Sequence, residues 1–359
     1  MIWPIISLLV IICLADVLLI VLWKTDSRQY VVSTAPMVSI LIAARDEEVN
    51  ILRCLRSLAQ QNYPADKIQI LIGDDSSTDR TYDLAEDFIN THTLGASEVV
   101  GIESQIQGLS GKANVLAQLA HKAAGEIWLI TDADMTLPST WISTMVAAMP
   151  VGGGIVTGVT ISHNHTWQSL DWLFAIGMVK VLADRGKSVT TMGNNMAISK
   201  TAYHAVGGYE TIPFSITEDL ELFKAVDKAG YEHVQLYRPQ VLGTTQPVKS
   251  FFKLLQQRKR WMRGAVGLAW PIVVLLFLQA VYFPLMLLLL YISWKTFLVV
   301  LIVKTGLQAI FLWQCAREVN FKVSPISYLL YEPYSWLVGF GTLIYYLLPV
   351  RVSWKGRKY

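Results

Sequence analysis

The chain has 359 residues, of which 53% are hydrophobic and only 16% are charged, and its formal net charge is +3. A mean hydropathy of +0.41 is too apolar for an ordinary soluble protein, and so small a net charge gives no reason to expect a nucleic-acid partner. Three scattered cysteines provide neither metal-ligand spacing nor a disulfide framework. We therefore expect a membrane protein whose charged middle region forms a globular domain in a reducing compartment.

The N-terminal stretch 2–23 is apolar and is interrupted only by Asp16. About 20 apolar residues span a bilayer, and this stretch lacks the basic start and the cleavage site of a signal peptide. We predict an uncleaved transmembrane helix over residues 1–24. Lys24 and Arg28 follow it, which places this end in the cytoplasm by the positive-inside rule.

Strand-like and helical patterns alternate after a linker that ends at Pro36. Apolar runs typical of buried strands lie at 37–44, 68–73, 99–103 and 126–131, with helical patterns at 47–61, 79–89 and 111–121 between them. Such alternation predicts a parallel sheet covered by helices. The following region is less regular, with strand-like runs at 155–162 and 233–243 and a helix at 217–228. We assign residues 36–246 to one α/β domain.

From residue 247 the sequence changes character. A basic amphipathic stretch, 247–265, predicts a helix in the headgroup plane. The remainder, 266–359, reads as a membrane region of two to three apolar segments with a basic tail. One N-terminal span and three C-terminal spans would put the tail outside, whereas its charge favours the cytoplasm. We therefore expect segment 326–350, interrupted by Glu332-Pro333 and two glycines, to be re-entrant or interfacial.

Two ionisable residues fall within these apolar segments. Of the apolar segments at about 266–291, 296–315 and 326–350, the second has Lys304 near its middle and the third contains Glu332. Charged groups at membrane depth are costly and are usually paired or line a cavity. We predict either a Lys304–Glu332 pair or contact with the headgroup of a lipid acceptor.

One polar motif, Asp132-Ala133-Asp134, directly follows the strand-like run 127–131. Ligands of open α/β sheets gather at strand carboxyl ends, and two neighbouring carboxylates repel unless a cation or a donor-rich ligand lies between them. Mg²⁺ takes few protein carboxylates and completes its shell with water and substrate phosphates. The motif therefore indicates a metal–diphosphate site, with an Asx-turn or a helix N-cap as the alternative.

Further polar motifs follow the other predicted elements in order, without a Gly-x-Gly-x-x-Gly fingerprint or a P-loop. They are Ala43-Ala44-Arg45-Asp46-Glu47, Asp74-Asp75, Gly111-Lys112-Ala113-Asn114, Thr217-Glu218-Asp219 and Gln257-Arg258-Lys259-Arg260-Trp261. This ordered set resembles the membrane-embedded members of glycosyltransferase family 2, which include cellulose, chitin and hyaluronan synthases and ceramide glucosyltransferase. The resemblance covers about residues 36–264. It implies a nucleotide-sugar-binding domain of the GT-A type with a mixed, mainly parallel sheet, flanked by N- and C-terminal transmembrane helices.

The resemblance also implies a donor site. Asp75 matches the aspartate that binds the nucleotide base, usually uracil, and a carboxylate can accept the N–H of that ring. Ala43, Arg45 and Glu47 match the loop around base and ribose, where the family often has Pro-x-Tyr-Asn and an arginine can stack on a flat ring. Lys112 matches a lysine near the diphosphate, with a solvated lysine as the alternative.

The catalytic roles follow from the same resemblance. Asp134 matches the residue that binds Mg²⁺ or Mn²⁺, and Asp132 matches the one that contacts the ribose or donor sugar beside it. Asp219 matches the general base, so the expected outcome is inversion at the anomeric carbon. Acidic residues at a helix N-terminus are the plainer interpretation of Thr217-Glu218-Asp219, and both can hold. Gly193-Asn194-Asn195 either lines the acceptor site or forms a simple turn.

The motif Gln-x-x-Arg-Trp is matched by Gln257, Arg260 and Trp261. In the family its arginine approaches the diphosphate, whereas an amphipathic helix with a tryptophan anchor is the plainer interpretation. Processive polysaccharide synthases share the motif, yet the few C-terminal spans leave little material for a polymer channel. We therefore favour metal-dependent transfer of one sugar from a UDP-sugar to a membrane lipid, with processive synthesis of an exported glycan as the alternative.

These expectations set the location and the partners. An integral multi-pass protein with a cytoplasmic catalytic domain fits a bacterial inner membrane, and an endomembrane fits the same physics. The expected partners are a nucleotide-sugar donor, a lipid or growing glycan acceptor and the bilayer. A transporter would show repeated membrane halves or many spans, and the sequence has neither. The sequence leaves the oligomeric state open.

Overall fold

The computed structural model describes residues 2–26, 35–92, 95–351, 353–355 and 357–358. The chain divides into two compact units. The helical unit comprises Met1–Thr25, Asn164–Val181 and Pro247–Tyr359, and the sheet unit comprises Asp26–His163 and Leu182–Gln246. Segment 164–181, which we expected within the α/β domain, therefore belongs to the helical unit. Arg28 lies outside the described residues.

The secondary structure mixes helices and strands in the middle of the chain and is helical at both ends. The helices are α1 Ile2–Leu22, α2 Ile51–Ala59, α3 Thr81–Thr91, α4 Gly111–Lys122, α5 Trp141–Ala147, α6 Thr166–Ala183, α7 Lys200–Ala205, α8 Gly208–Thr211, α9 Glu218–Lys228, α10 Phe251–Ala265, α11 Trp270–Ile292, α12 Trp294–Glu318 and α13 Pro325–Leu347. The strands are β1 Val38–Ala44, β2 Ile68–Asp74, β3 Glu98–Gly101, β4 Ile127–Asp132, β5 Gly154–Thr157, β6 Val159–Ser162, β7 Asn195–Ser199, β8 Glu232–Gln235, β9 Leu242–Thr245, β10 Ser353–Trp354 and β11 Arg357–Lys358. Short 3₁₀ turns precede β2 and β9.

A seven-stranded sheet with the order β3-β2-β1-β4-β7-β5-β8 forms the centre of the sheet unit. Strands β3, β2, β1 and β4 are parallel, β7 is antiparallel to both of its neighbours, and β8 is parallel to β5. The expected mixed, mainly parallel sheet is confirmed. The apolar runs form these strands because both faces of the central strands are covered, and Ile40, Leu71 and Leu129 are fully buried.

Strand register brings the predicted polar motifs to one edge of this sheet. Ala43 of β1 pairs with Gly73 of β2 and with Asp132 of β4, so three strands end at the same level. The expected single strand over 155–162 is instead two strands, because Gly158 separates β5 in the large sheet from β6, which pairs with β9 in a second, two-stranded sheet. The expected strand over 233–243 is likewise divided between β8 and β9.

The helical unit packs apolar helices around one another. Helix α1 packs on α11 and α12, and α13 packs on α10, α11 and α12. Among the described residues, three helices are long and apolar enough to cross a membrane, namely α1, α11 and α12. Helix α13 is continuous through Pro333, so the re-entrant path that we expected for segment 326–350 is wrong, whereas the interfacial alternative stays a prediction because α13 is not among these three helices. The helix makes its own backbone hydrogen bonds, and an internal proline is tolerated where neighbouring helices pack around it.

A cluster of buried charges joins three helices of this unit. The Lys304 ammonium of α12 lies 3.0 Å from a carboxylate oxygen of Asp16 in α1 and 3.8 Å from one of Glu332 in α13. Lys304 also donates to Gln308 Oε1 at 2.7 Å, and the indole of Trp336 donates to Glu332 at 2.8 Å. The predicted Lys304–Glu332 pair is confirmed, and Asp16 supplies a second carboxylate at a shorter distance.

Candidate active site

The loop after β1 carries Arg45 towards the neighbouring strand end. Its guanidinium donates to the backbone carbonyl of Asp75 at 2.8 Å and lies 3.8 Å from the Asp75 carboxylate. The amide of Asp75 donates to the carbonyl of Ala44 at 2.8 Å. Glu47 lies further along this loop, and its amide donates to the Thr81 hydroxyl at 2.7 Å. The four predicted base-binding residues therefore come from the end of β1 and from two adjoining loops: Ala43 lies in β1, Arg45 and Glu47 follow it, and Asp75 follows β2.

The neighbouring Asp74 and Asp79 organise these loops. Asp74 accepts from the amide of Ser77 at 3.0 Å, and Asp79 accepts from the amide of Thr81, the first residue of α3, at 2.9 Å. Burial alone would raise the pKa of Asp79, but the hydrogen bonds from Thr81 and Glu48 outweigh it and lower that pKa. Asp79 thus satisfies the first amide of α3, although the N-cap residue Arg80 makes no side-chain cap.

Lys112 connects the strand end of β4 to the loop before β7. Its ammonium lies 2.5 Å from Asp132 Oδ1, donates to the Gly193 carbonyl at 3.0 Å and lies 3.5 Å from Glu218. Burial lowers the pKa of Lys112, but the carboxylates of Asp132, Glu218 and Asp219 outweigh burial and raise it above its ordinary value. Lys112 is therefore a fixed cation, and the solvated alternative is wrong.

Asp132 and Asp134 differ in their surroundings. The Asp132 side chain is 36% exposed although it pairs with Lys112, so one side of its carboxylate faces open space. Asp134 Oδ2 accepts from the Thr245 hydroxyl at the end of β9 at 2.8 Å. The Asp134 carbonyl accepts from Arg53 Nη2 in α2 at 2.9 Å. Asp132 therefore ends β4, and Asp134 lies in the turn that follows, where residues of α2 and β9 hold it.

Asp219 lies in the first turn of α9. Its Oδ2 accepts from the amide of Gly193 at 2.7 Å and its Oδ1 accepts from the amide of Leu220 at 2.9 Å. The expected helix start is confirmed, with Thr217 at the N-cap position but without a side-chain cap hydrogen bond. Two backbone N–H groups orient the Asp219 carboxylate instead, and carboxylate charge is favourable at the positive end of a helix.

Several contributors to this site were not assigned a role from the sequence. In the sequence, Arg53 belongs to a predicted helix and Thr245 lies beyond the predicted strand 233–243, so neither gives a usable signal. Glu218 and Gly193 belong to motifs that we noted, yet only the fold shows that both contact Lys112. Cys54 also lies beneath the site, and burial first, then Asp134 and Asp132, raise the pKa of its thiol, so it is no reactive nucleophile.

The remaining predicted residues lie on α10 in the helical unit. Trp261 packs edge-on against Trp172 of α6 at 4.9 Å between ring centroids, and the Arg258 guanidinium lies 4.3 Å from the Trp261 ring centroid. Arg258 also pairs with Asp171, which accepts from the Tyr331 hydroxyl at 2.9 Å. Gln257 and Arg260 are partly exposed on the same helix. Trp261, also partly exposed, thus packs within this unit against α6.

Comparison with known proteins defines the class and then the family. A mannosyltransferase of Pyrobaculum calidifontis, solved in complex with GDP-Man and Mn²⁺, superposes with a TM-score of 0.59 over 96% of this chain and 99% of that chain, at 18% identity. The fold is of the GT-A type with apolar helices at both ends, as the resemblance implied. The model of glycosyl transferase family 21 matches residues 4–359, and the chain belongs to that family.

Curated relatives support the same assignment over part of their length. The probable glycosyltransferase YdaM of Bacillus subtilis is 26% identical over 255 residues, which cover 67% of this chain and 57% of the relative. The beta-monoglucosyldiacylglycerol synthase of Synechocystis is 25% identical over 240 residues, which cover 64% of this chain and 48% of the relative. The chain spans about half the length of these curated relatives. The resemblance from the sequence was to membrane-embedded glycosyltransferases of family 2, including ceramide glucosyltransferase; the matching model is that of family 21, and the expected glycosyltransferase class is confirmed.

Proposed function

We propose that this protein transfers one glucosyl group from a nucleotide-sugar, UDP-glucose in the first instance, to a diacylglycerol-type membrane lipid with inversion. Membership of family 21 and the names of the relatives support glycolipid synthesis. The single structural observation that carries the proposal is the array Asp132–Lys112–Gly193–Asp219 at the strand ends of a GT-A sheet. Such an array provides a donor-side charge pair and an oriented carboxylate within one unit.

The residues present fit a divalent cation. No cluster of three or more potential metal-ligating side chains occurs in the described part of the chain, but Mg²⁺ and similar hard cations need only one or two carboxylates when substrate phosphates complete the shell. Asp134 would hold the cation together with the exposed side of Asp132. When bound, a divalent cation neutralises charge that develops on the departing diphosphate.

The other residues would carry out the proton transfer and the positioning. The acceptor hydroxyl oxygen forms a bond to the anomeric carbon while the bond from that carbon to the diphosphate oxygen breaks, and Asp219 receives the hydroxyl proton. Attack from the face opposite the leaving group gives inversion. Lys112, held as a cation by Asp132, would balance negative charge on the donor side.

The direct test incubates purified full-length protein with labelled UDP-glucose, GDP-mannose and other nucleotide-sugars, Mg²⁺ or Mn²⁺, and diacylglycerol or native lipid extract. A single glycolipid product from UDP-glucose supports the proposal. A ladder or a high polymer instead indicates the processive synthase that the Gln-x-x-Arg-Trp motif leaves as the alternative. Absence of any transfer in every combination would refute both.

Asp219→Asn tests the base specifically. Because the amide side chain cannot accept the proton, we expect transfer to fall by about 100-fold to 10,000-fold, while binding of UDP-glucose is retained. The matched control is Asp227→Asn, an exposed aspartate on the same helix α9, which should leave the rate unchanged. Retained transfer in Asp219→Asn would remove Asp219 from its role.

A further inference from the structure

The turn Met192–Asn195 is fixed at the edge of the large sheet. The amide of Asn195 donates to the Met192 carbonyl at 2.9 Å, which closes the turn. The hydroxyl of Thr131 in β4 donates to the Asn194 carbonyl at 3.0 Å, and Asn195 itself pairs with Thr131 in the sheet. Since Thr131 directly precedes Asp132, the turn is attached to the strand that carries the donor-side carboxylate.

Gly193, within this turn, contacts both the expected general base Asp219 and the donor-side cation Lys112. Its N–H donates to Asp219 Oδ2 at 2.7 Å, and its carbonyl accepts from Lys112 Nζ at 3.0 Å. The same ammonium lies 2.5 Å from Asp132 Oδ1. One residue therefore joins the expected general base to the donor-side ion pair through two backbone hydrogen bonds.

A side chain at position 193 would disturb this arrangement. A Cβ built on Gly193 would lie 2.9 Å from the Asp219 Cβ and 3.0 Å from Asp219 Oδ2. Contacts that short force the neighbour to move, and here the neighbour is the carboxylate itself. The requirement for glycine is consequently steric and directed at Asp219, since position 193 does not have a left-handed backbone conformation.

We propose that Gly193 is a positioning residue: it holds the Asp219 carboxylate and the Lys112 ammonium at a fixed separation, so that the base is aimed at an acceptor hydroxyl while the donor-side charges are in place. This inference rests on the proposed glucosyl transfer and adds a residue that acts through Asp219. Gly193 itself contacts neither donor nor acceptor in this scheme.

The test compares Gly193→Ala with Gly152→Ala in the full-length protein, using UDP-glucose and diacylglycerol in mixed micelles. A Cβ at Gly152 meets open space, so Gly152→Ala should match the wild type. Because a displacement of about 1 Å costs on the order of 100-fold in rate, kcat of Gly193→Ala should fall by about that factor. The KM for UDP-glucose should change by less than about threefold, because Lys112 keeps its contact with Asp132.

A double-mutant cycle separates positioning from general damage. If Gly193 acts through Asp219, then Gly193→Ala introduced into Asp219→Asn causes little further loss, whereas independent effects would multiply. Multiplying losses, or a wild-type kcat in Gly193→Ala, would overturn the inference. If Gly193→Ala fails to fold, Thr131→Val replaces it, since this variant removes the hydroxyl that holds the turn. Its kcat should fall about tenfold. An unchanged kcat would also overturn the inference.

The proposed function and this inference fail in different ways. A wild-type protein that transfers no sugar refutes the proposed function itself. A wild-type protein that transfers glucose, and loses that activity in Asp219→Asn but not in Gly193→Ala or Thr131→Val, refutes only the positioning role of Gly193.

Discussion

The buried charge cluster of the helical unit leads to a strong prediction for Lys304→Met. Methionine fills a similar volume but removes the ammonium that lies 3.0 Å from Asp16 and 3.8 Å from Glu332. Each of these attractions is worth about 5 kcal/mol at an effective dielectric constant of about 20, and desolvation of the charges offsets much of that sum. Breaking a buried ion cluster by removing one partner typically costs about 3–5 kcal/mol.

The measurement is thermal unfolding of the detergent-solubilised full-length protein, followed by tryptophan fluorescence, with membrane fractionation and the glucosyl-transfer rate alongside. A loss of about 3–5 kcal/mol should lower Tm by roughly 5–15 °C. Lys295→Met is the matched control, because Lys295 is an exposed lysine on the same helix α12. This control should unfold like the wild type.

A triple variant separates the charge effect from packing. In Asp16→Leu/Lys304→Met/Glu332→Met no charge is left without a partner, and replacing a whole buried ion cluster by apolar residues is often neutral or stabilising. We expect this variant to recover most of the lost Tm. If Lys304→Met inserts, unfolds and transfers like the wild type, the cluster contributes nothing to the helical unit and the reasoning is refuted.

Two further predictions concern the sheet unit. Asp134→Asn should reduce metal-dependent transfer by about 100-fold or more, because several kcal/mol of charge stabilisation are lost. An unchanged dependence of the rate on Mg²⁺ or Mn²⁺ concentration would contradict this. The control is Asp87→Asn, an exposed aspartate on α3. Burial lowers the pKa of His233 from 6.5 to about 4, so the folded state stays neutral where the unfolded chain takes up a proton. The contribution of His233 to the free energy of unfolding is complete above pH 6.5 and falls by at most about 3 kcal/mol as the pH drops to about 4. In denaturant unfolding, His233→Gln should therefore lose less stability than the wild type over that range. An equal loss would exclude His233 as its cause.

Much of the parallel half of the sheet was predictable because its strands are continuous apolar runs. The antiparallel half was harder, since its strands are short and their ends depend on contacts between distant segments. Gly158, for example, lies between β5 and β6, and a Cβ there would clash with the Asn195 side chain. The local sequence 155–162 does not predict this contact, because Asn195 belongs to a strand that begins 33 residues after its end.

Helix α6 was not predicted for a related reason. Its residues are apolar over most of its circumference, and Leu170, Leu173 and Ile176 are fully buried. A helix that is buried on several sides has no amphipathic period to detect. Its assignment to the helical unit also explains why the region around it looked irregular as part of an α/β domain.

The candidate site divides in the same way into residues that spacing can find and residues that only the fold assembles. Carboxylates directly after strands are found from sequence, because parallel strands end at a common edge. The contacts that fix those carboxylates are made by backbone groups and by side chains from distant elements, as with the Gly193 amide on Asp219 and Thr245 on Asp134. Backbone donors have no residue-type signature, so no motif can reveal them.

Helix α10 shows how one residue class can serve two purposes. From the sequence its lysines and arginines form a single basic set that favours a membrane surface. In the structure Arg258 pairs with Asp171, and Lys259 is buried and donates to the carbonyls of Tyr345 and Leu348, at 3.0 and 2.7 Å, where α13 ends. A cation at a helix C-terminus satisfies carbonyls that lack helical partners and the negative end of the dipole. The variable positions of Gln-x-x-Arg-Trp thus anchor the helix, and of its basic residues Lys253 and Arg263 are the exposed ones left for the predicted contact with a membrane surface.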